Sequence, residues 1–504
     1  MTSPTTEQCA LQLMKQKISI TKLEELLDQD INALNKEYVL CGWVHYVRHQ
    51  KNMIFVKLVD SAKSKLAPFQ LVFDTKNDPT YFEKLSTLSI GCYMLSKGQV
   101  IKSLGKGQAY EMKGSEYFIF GQVDDPSKYP IGKNIIPLPT LRTIPHLECH
   151  TAVKSTIYYI RSVLSKAIHE FFELHDYTKV DMPTITFSEC EGGCQPMQIT
   201  SLLKTDNVKD FPLVKDTSKI DFSKDFFGTK ASLTVSAQLE LETQLPLGNV
   251  YTVTLATRGE ESMTGKHLAM FTMIELEQAS TGSEEIMDVT EKLIKFCINK
   301  VLTTCKPQLE YLQKEFEKPD QIKNLERYCR EDFKQITHAE AIDIITTEYN
   351  ERASSSKKQF DVLPTHKDDI SSEHENFIVD KFQGPVIVRK YPKHVKAFYM
   401  PVVEETLEES RGIEHVDSFD ILVPGVGELV GGSQRIYKEK ELLDRIEELG
   451  LEKEPLEFYI DMRRKGSLPH GGMGMGFERL VMFVTGAPTV KDCVAFPRFF
   501  GSNK

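Results

Sequence analysis

The sequence predicts an α+β protein: an amino-terminal OB-type β-barrel, then a larger domain built on an antiparallel sheet flanked by helices. Three observations predict it. Five segments after Val39, "VLCGWVHYVRHQ", "MIFVKLVDS", "PFQLVFDT", "CYMLSKGQVIKS" and "AYEMKGSEYFIFGQV", alternate apolar and polar residues between turn-rich gaps. Short strands packed into about ninety residues suit a small barrel. Val153, Ile157, Ile160, Leu164, Ile168 and Phe171 then recur at three- and four-residue spacing, which marks a long helix. Finally, "NVYTVTLATRGEE" and "AMFTMIELEQAS" flank the polar loop "GEESMTGKHL" as a long antiparallel hairpin.

In chain order, residues 1–37 form a polar leader with one short amphipathic helix, "TKLEELLDQDINAL". Residues 38–125 form the barrel. Residues 126–150 lie in a proline-rich connector expected to act as a hinge. Residues 151–504 form the second domain, with insertions near 200–230 and 282–380. Its long helix ends near His175, and a strand containing Pro183, "YTKVDMPTITF", follows, as proline allows at an edge or interface. A capping box of Thr281 with Glu284 starts a helical stretch to about residue 350. "GPVIVRKYPKHVKAFYMPV" and "SFDILVPGVGELVGGSQRI" return to strands. There is no internal repeat.

Lys and Arg total 62 against 72 Asp and Glu, a formal charge of −10. That balance argues against broad coating of nucleic acid but allows a local basic groove. No apolar run approaches the ~18 residues of a membrane span, and no export or transit signal is visible. A soluble, cytoplasmic protein without a membrane partner is expected. The ten cysteines lack paired zinc-ligand spacing; Cys190 and Cys194 have no matching pair, which points to reduced thiols.

Near the carboxyl end stands "LPHGGMGMGFERLVMF". Gly472, Gly474 and Gly476 alternate along an extended segment and so share one face, leaving bare backbone on which a flat group can lie. Met473, Met475 and Phe477 point the other way, and Glu478 and Arg479 open an amphipathic helix. Phe477 stands where a dinucleotide fingerprint needs Gly or Ala. Arg479 is placed to cover the exposed face of a bound ring.

Here the chain resembles the class II aminoacyl-tRNA synthetases, and within them the aspartyl/asparaginyl subgroup. "GMGMGFERL" is similar to their third signature, "TRGEESMTGKHLAMF" to their second, and the 153–185 helix with Pro183 to their first, in the right order. The resemblance implies a class II synthetase catalytic domain that adenylates an amino acid with ATP and Mg²⁺ and passes it to tRNA, as a homodimer. It implies that Arg258 and Arg479 are catalytic. Arg258 would hold the α-phosphate, Glu260 the adenine amino group and His267 the γ-phosphate, with Phe271 and Arg479 sandwiching the ring. Glu428 with Asp420 would bind Mg²⁺. Glu191 and Gln238 would bind the amino-acid backbone, and Arg435 the side-chain oxygen. In the barrel, Arg48, Phe55 and Gln70 would meet the anticodon.

The segments "TFSECEGG", "LTVSAQLELE", "KYPKHVKAFYM" and "FDILVPGVGELVGGSQR" resemble the asparaginyl branch, which implies asparagine and tRNA(Asn) as substrates. The aspartyl pattern has a lysine where this chain has Leu241, and an aspartate where it has Glu275. One Arg opposed by one Glu suits an uncharged carboxamide. The aspartyl enzyme is the alternative, followed by the ammonia-dependent asparagine synthetase, against which the barrel speaks, and a non-catalytic RNA-binding paralogue. Thr257, Gly259, Lys266 and Met270 depart from the second signature.

Overall fold

The computed structural model describes residues 6–76, 83, 85–103, 105, 107–132, 136–188, 196–203, 207–354, 358–406 and 410–502. They fall into two units, 1–160 and 161–503, with the division inside one helix.

In the first unit, β1 (Glu37–Gln50), β2 (Met53–Val59), β3 (Phe69–Asp74), β4 (Tyr93–Lys102) and β5 (Tyr110–Gly121) close into a barrel in the order β1-β2-β3-β5-β4. This is the barrel the alternation predicts. Leu40, Val44, Ile54, Val56, Leu58, Leu71, Phe73, Met94 and Met112 all turn inward and are buried. The leader holds two helices where the sequence pattern indicates one: α1 (Glu7–Met14), capped by Thr6, and α2 (Ile20–Gln29), capped by Ser19. Ile20, Leu23 and Leu27 of α2 join the barrel core.

The long helix α3 spans Ala152–Leu174, as its periodicity predicts. Pro183 lies in no strand. It falls between β6 (Thr178–Lys179) and a two-residue strand at Ile185–Thr186, where no ladder N–H is required of it.

The second unit is organised by an eight-stranded sheet. Besides β6 it contains β7 (Val250–Thr257), β8 (Met270–Ala279), β9 (Lys334–Thr337), β10 (Val386–Arg389), β11 (Ser418–Val423), β12 (Gly427–Gln434) and β13 (His470–Gly476). The order is β9-β10-β11-β12-β13-β8-β7-β6. The six central strands are antiparallel, and β9 and β6 add one parallel pairing at each edge. The hairpin β7–β8 has the expected register, with Thr257 opposite Met270.

Helix α4 (Gln238–Glu242) leads into β7. Helix α5 (Ser283–Thr304) begins one residue later than the predicted capping box: Gly282 is the N-cap, and its N–H donates to Glu285 at 3.0 Å. The region to residue 350 is several helices interrupted by β9, because "KQIT" pairs with β10. Farther along lie α6 (Ser372–Phe382), α7 (Glu457–Arg464) and α8 (Phe477–Thr485).

Candidate active site

The glycine segment is strand β13, set between β12 and β8. Its glycines do different jobs. A side chain at Gly472 would begin 2.2 Å from Glu277 Oε1, so this glycine makes room for a buried carboxylate. Gly474 and Gly476 instead line a cavity of about 190 Å³, together with Arg258, Glu260, Lys266, His267, Phe271, Glu428 and Arg479. Met473, Met475 and Phe477 are buried.

At the start of α8 the Glu-Arg pair divides its work. Glu478 accepts from the Thr272 N–H at 2.9 Å and pairs with Arg161 at 2.8 Å, tying α8 to β8 and α3. Arg479 donates to the Glu428 carbonyl at 2.7 Å and lies 3.3 Å from its Oε2. Phe271 and Arg479 therefore line one cavity over bare glycine backbone. The Arg258 guanidinium stands 5.6 Å from the Phe271 ring centroid. His267 Nδ1 lies within hydrogen-bond distance of the hydroxyls of Thr264 (2.5 Å) and Ser262 (2.9 Å). Burial, then the Arg479 charge, lowers its pKa. The Lys266 ammonium lies 3.8 Å from Glu375 on α6, at the cavity wall.

A second cavity of about 260 Å³ shares Arg258, Met273, Glu428 and Gly474 with the first, so the two join. Its charged lining is Arg258, Lys396 and Arg435 against Glu275, Asp420 and Glu428, three cations and three carboxylates. Gln238 and Ser236 add neutral polar groups. Glu275 accepts from the Ser236 hydroxyl and from the Ala237 N–H at 3.1 Å, which anchors the start of α4 and with it Gln238. Arg435 is gripped bidentately by Glu277, at 2.7 and 3.3 Å, and donates to Ser433 Oγ at 2.6 Å.

Behind this cavity lies a network that sequence reasoning missed. Glu242, fully buried, accepts from Gln238 Nε2 (3.0 Å), Arg463 (2.8 Å) and the Tyr459 hydroxyl (2.7 Å), and meets His470 Nε2 at 2.9 Å. Burial alone would raise its pKa; Arg463, His470 and Arg435 outweigh burial and hold it below the carboxylate range. Glu242, Glu277 and His470 lie close enough to hold a cation. Their oxygens are already committed to Arg435 and Arg463, so this is an ion-pair network. Only Glu277, two residues from Glu275 on the same strand face, carried a sequence signal for it.

Three sequence expectations are revised here. Leu241 does not line the cavity; it is buried with Leu245 and Val250 because the α4 turn points it into the core. A lysine does reach the cavity, Lys396, with its charge matched by Asp420 at 2.7 Å. Asp420 therefore holds a lysine as well as facing Glu428. Both carboxylates bracket Gly431, with Glu428 Oε1 and Asp420 Oδ1 3.4 and 3.5 Å from where its side chain would begin. Burial, with Glu428 adding to it, pushes the Asp420 pKa up to about 6 against the pull of Lys396. Glu191 lies outside the described residues. In the barrel, Arg48 and Phe55 are cross-strand partners and Gln70 lies on the same outward face, its amide donating to Glu111 at 2.9 Å.

Residues 140–499 match the family model "tRNA synthetases class II (D, K and N)". The chain belongs to this family. It is 36% identical to the asparagine–tRNA ligase of Acetivibrio thermocellus over 95% of this chain and 98% of that one. The asparagine–tRNA ligase of Shewanella loihica is 35% identical over the same shares. Among solved structures, asparaginyl-tRNA synthetase from Pyrococcus horikoshii complexed with asparaginyl-adenylate is similar at 28% identity and a TM-score of 0.80, covering 96% of this chain and 98% of that chain. Among the described residues no helix is long and apolar enough to cross a membrane.

Proposed function

We infer that this chain activates asparagine with ATP to form asparaginyl-adenylate and transfers the asparaginyl group to tRNA(Asn). The observation that carries the reading is the pair of joined cavities. One is a slot between Phe271 and Arg479 on bare glycine backbone, and the other is a polar chamber whose formal charges cancel.

The amino-acid carboxylate is itself the nucleophile, so no general base is required. Positioning and charge neutralisation carry the reaction. Arg258 belongs to both cavities and is placed to neutralise the α-phosphate where the two substrates meet. Phe271 and Arg479 take the adenine faces, Glu260 its amino group, and His267 the far phosphates. Asp420 and Glu428 face the open side of Gly431 with hard oxygens and would hold Mg²⁺, which supplies charge neutralisation on the triphosphate. Arg435, fixed by Glu277, donates to the carboxamide oxygen, and Gln238 with Glu191 holds the backbone of the amino acid. Glu275 faces the amide NH₂. A second carboxylate in place of the amide would add an uncompensated charge to a chamber already balanced.

In the barrel, Phe55 stacks a base of the anticodon, Gln70 reads an edge, and Arg48 meets phosphate. A homodimer working in the cytoplasm completes this reading. The test is ATP–pyrophosphate exchange with asparagine and with aspartate, followed by charging of a tRNA(Asn) transcript. Asparagine-dependent exchange is expected, and faster exchange with aspartate would overturn the choice of substrate.

A further inference from the structure

We propose that the first unit carries a second ligand site: a pocket for a nucleoside monophosphate, taken either free or as one nucleotide of an RNA strand. The pocket measures about 580 Å³, within the range of small-molecule sites, and is lined wholly by residues of that unit. None of Arg48, Phe55 or Gln70 lines it.

Charge selects an anion. Lys57 and Lys65 line the pocket, and among the described residues no Asp or Glu does. The nearby Asp60 is committed to the Ile20 N–H (2.8 Å) and the Ser64 hydroxyl (3.0 Å). Lys65 donates one of its three N–H groups to the His150 carbonyl at 3.0 Å. Burial pushes its pKa down to about 8, as expected of a desolvated cation. A phosphate oxygen would offset that desolvation and accept the remaining donors.

Shape selects a ring. Trp43 stands edge-on to Tyr93 (5.0 Å) and His150 (4.8 Å), yet remains 41% exposed at the pocket. Tyr129 closes another side. Its ring lies where a side chain on Gly91 would begin, 2.5 Å from Cζ, and its hydroxyl meets His150 Nδ1 at 3.1 Å. Gly91, at φ +91°, is thus required for this wall. The walls are pre-formed, and stacking on them is tolerant of base identity.

Position shows how RNA could reach the pocket. Tyr46 and Lys57, both in the lining, are cross-strand partners on the β1–β2 ladder. The next pair on the same face is Arg48 with Phe55. A strand lying on that face would need only one step to place a neighbouring nucleotide in the pocket. This RNA arm rests on the tRNA reading above; the free-nucleotide arm does not.

Trp43 is the only tryptophan of the chain, so its emission reports on this pocket directly. AMP, GMP, CMP and UMP are titrated into the full-length protein with inorganic phosphate as control, and a tRNA(Asn) transcript is titrated separately. Lys65→Ala and Lys65→Arg are compared with the parent, with thermal midpoints verifying the fold. Saturable quenching by a mononucleotide, lost in Lys65→Ala and kept in Lys65→Arg, identifies a free nucleotide. Silence with mononucleotides, but tRNA binding weakened about tenfold in Lys65→Ala, identifies an RNA nucleotide. In that case the slope of log affinity against log salt falls by about one. If Lys65→Ala changes neither signal, the proposal is wrong, whether or not the protein charges tRNA.

Discussion

The two joined cavities are built on opposite principles. One wall of the nucleotide cavity is a hairpin loop: Glu260 is exposed, and His267 and Lys266 sit on the same loop. The amino-acid cavity is made by side chains that are themselves held. Arg435 is fixed by Glu277, Gln238 by Glu242, and Glu275 by Ser236 and Ala237. ATP offers long reach and many charges, so a few positioned cations suffice. A small amino acid offers one amide, and reading it requires donors and acceptors that cannot reorient. Where binding energy is scarce, rigidity has to come from the protein.

The largest effect is expected where the two principles meet. Arg258 belongs to both cavities, and Arg258→Ala should lower the exchange rate about 10³-fold, as loss of a pre-organised donor does. The loss should fall on kcat with asparagine and with ATP alike. An effect confined to the KM of one substrate would show that Arg258 serves a single cavity.

Next comes the support of Arg435. Glu277→Ala leaves a buried guanidinium without its carboxylate, at a cost of about 3–5 kcal/mol. Chemical denaturation should register this as a lower midpoint, and asparagine KM should rise while ATP KM stays near the parent value. Glu242→Gln keeps the shape but removes one negative charge from behind the chamber. Its stability loss should be smaller, and the kcat/KM ratio of asparagine over aspartate should fall. An unchanged ratio would make Glu242 a fold-holding residue without influence on substrate choice.

These two variants also mark the boundary of what the sequence reveals. The nucleotide cavity was readable because Arg258, Glu260, His267 and Phe271 lie within one hairpin, and Gly474, Gly476 and Arg479 within six residues. Local spacing sets their geometry. The barrel, the long helix and the hairpin followed for the same reason, since each buries a periodic face. The network around Glu242 draws Tyr459 and Arg463 from α7 and His470 from β13, more than two hundred residues away. Each alone reads as an ordinary helix or loop residue, and only folding brings their charges together. Leu241 misled for a related reason. A three-residue offset on a short helix places a side chain by the turn, and here the turn faces the core. Lys396, whose role sequence position did not indicate, supplies the lysine of the chamber, beside Arg258 and Arg435.

The smallest effect should separate the cavities most cleanly. Phe271 contributes a flat face beside Arg258 and Arg479; it lies outside the lining of the amino-acid chamber and meets it only through Arg258, 5.6 Å from its ring centroid. Leucine keeps most of the apolar volume but loses the stacking surface, worth about 1 kcal/mol. Phe271→Leu should therefore raise the ATP KM about fivefold and leave asparagine KM and the asparagine/aspartate ratio unchanged. Phe271 stands on β8, so the backbone holds the leucine in place and only the ring face is lost. Were asparagine discrimination to fall as well, the chamber would not be rigid on its own, and the nucleotide's ring would have to be counted among the groups that hold it in shape.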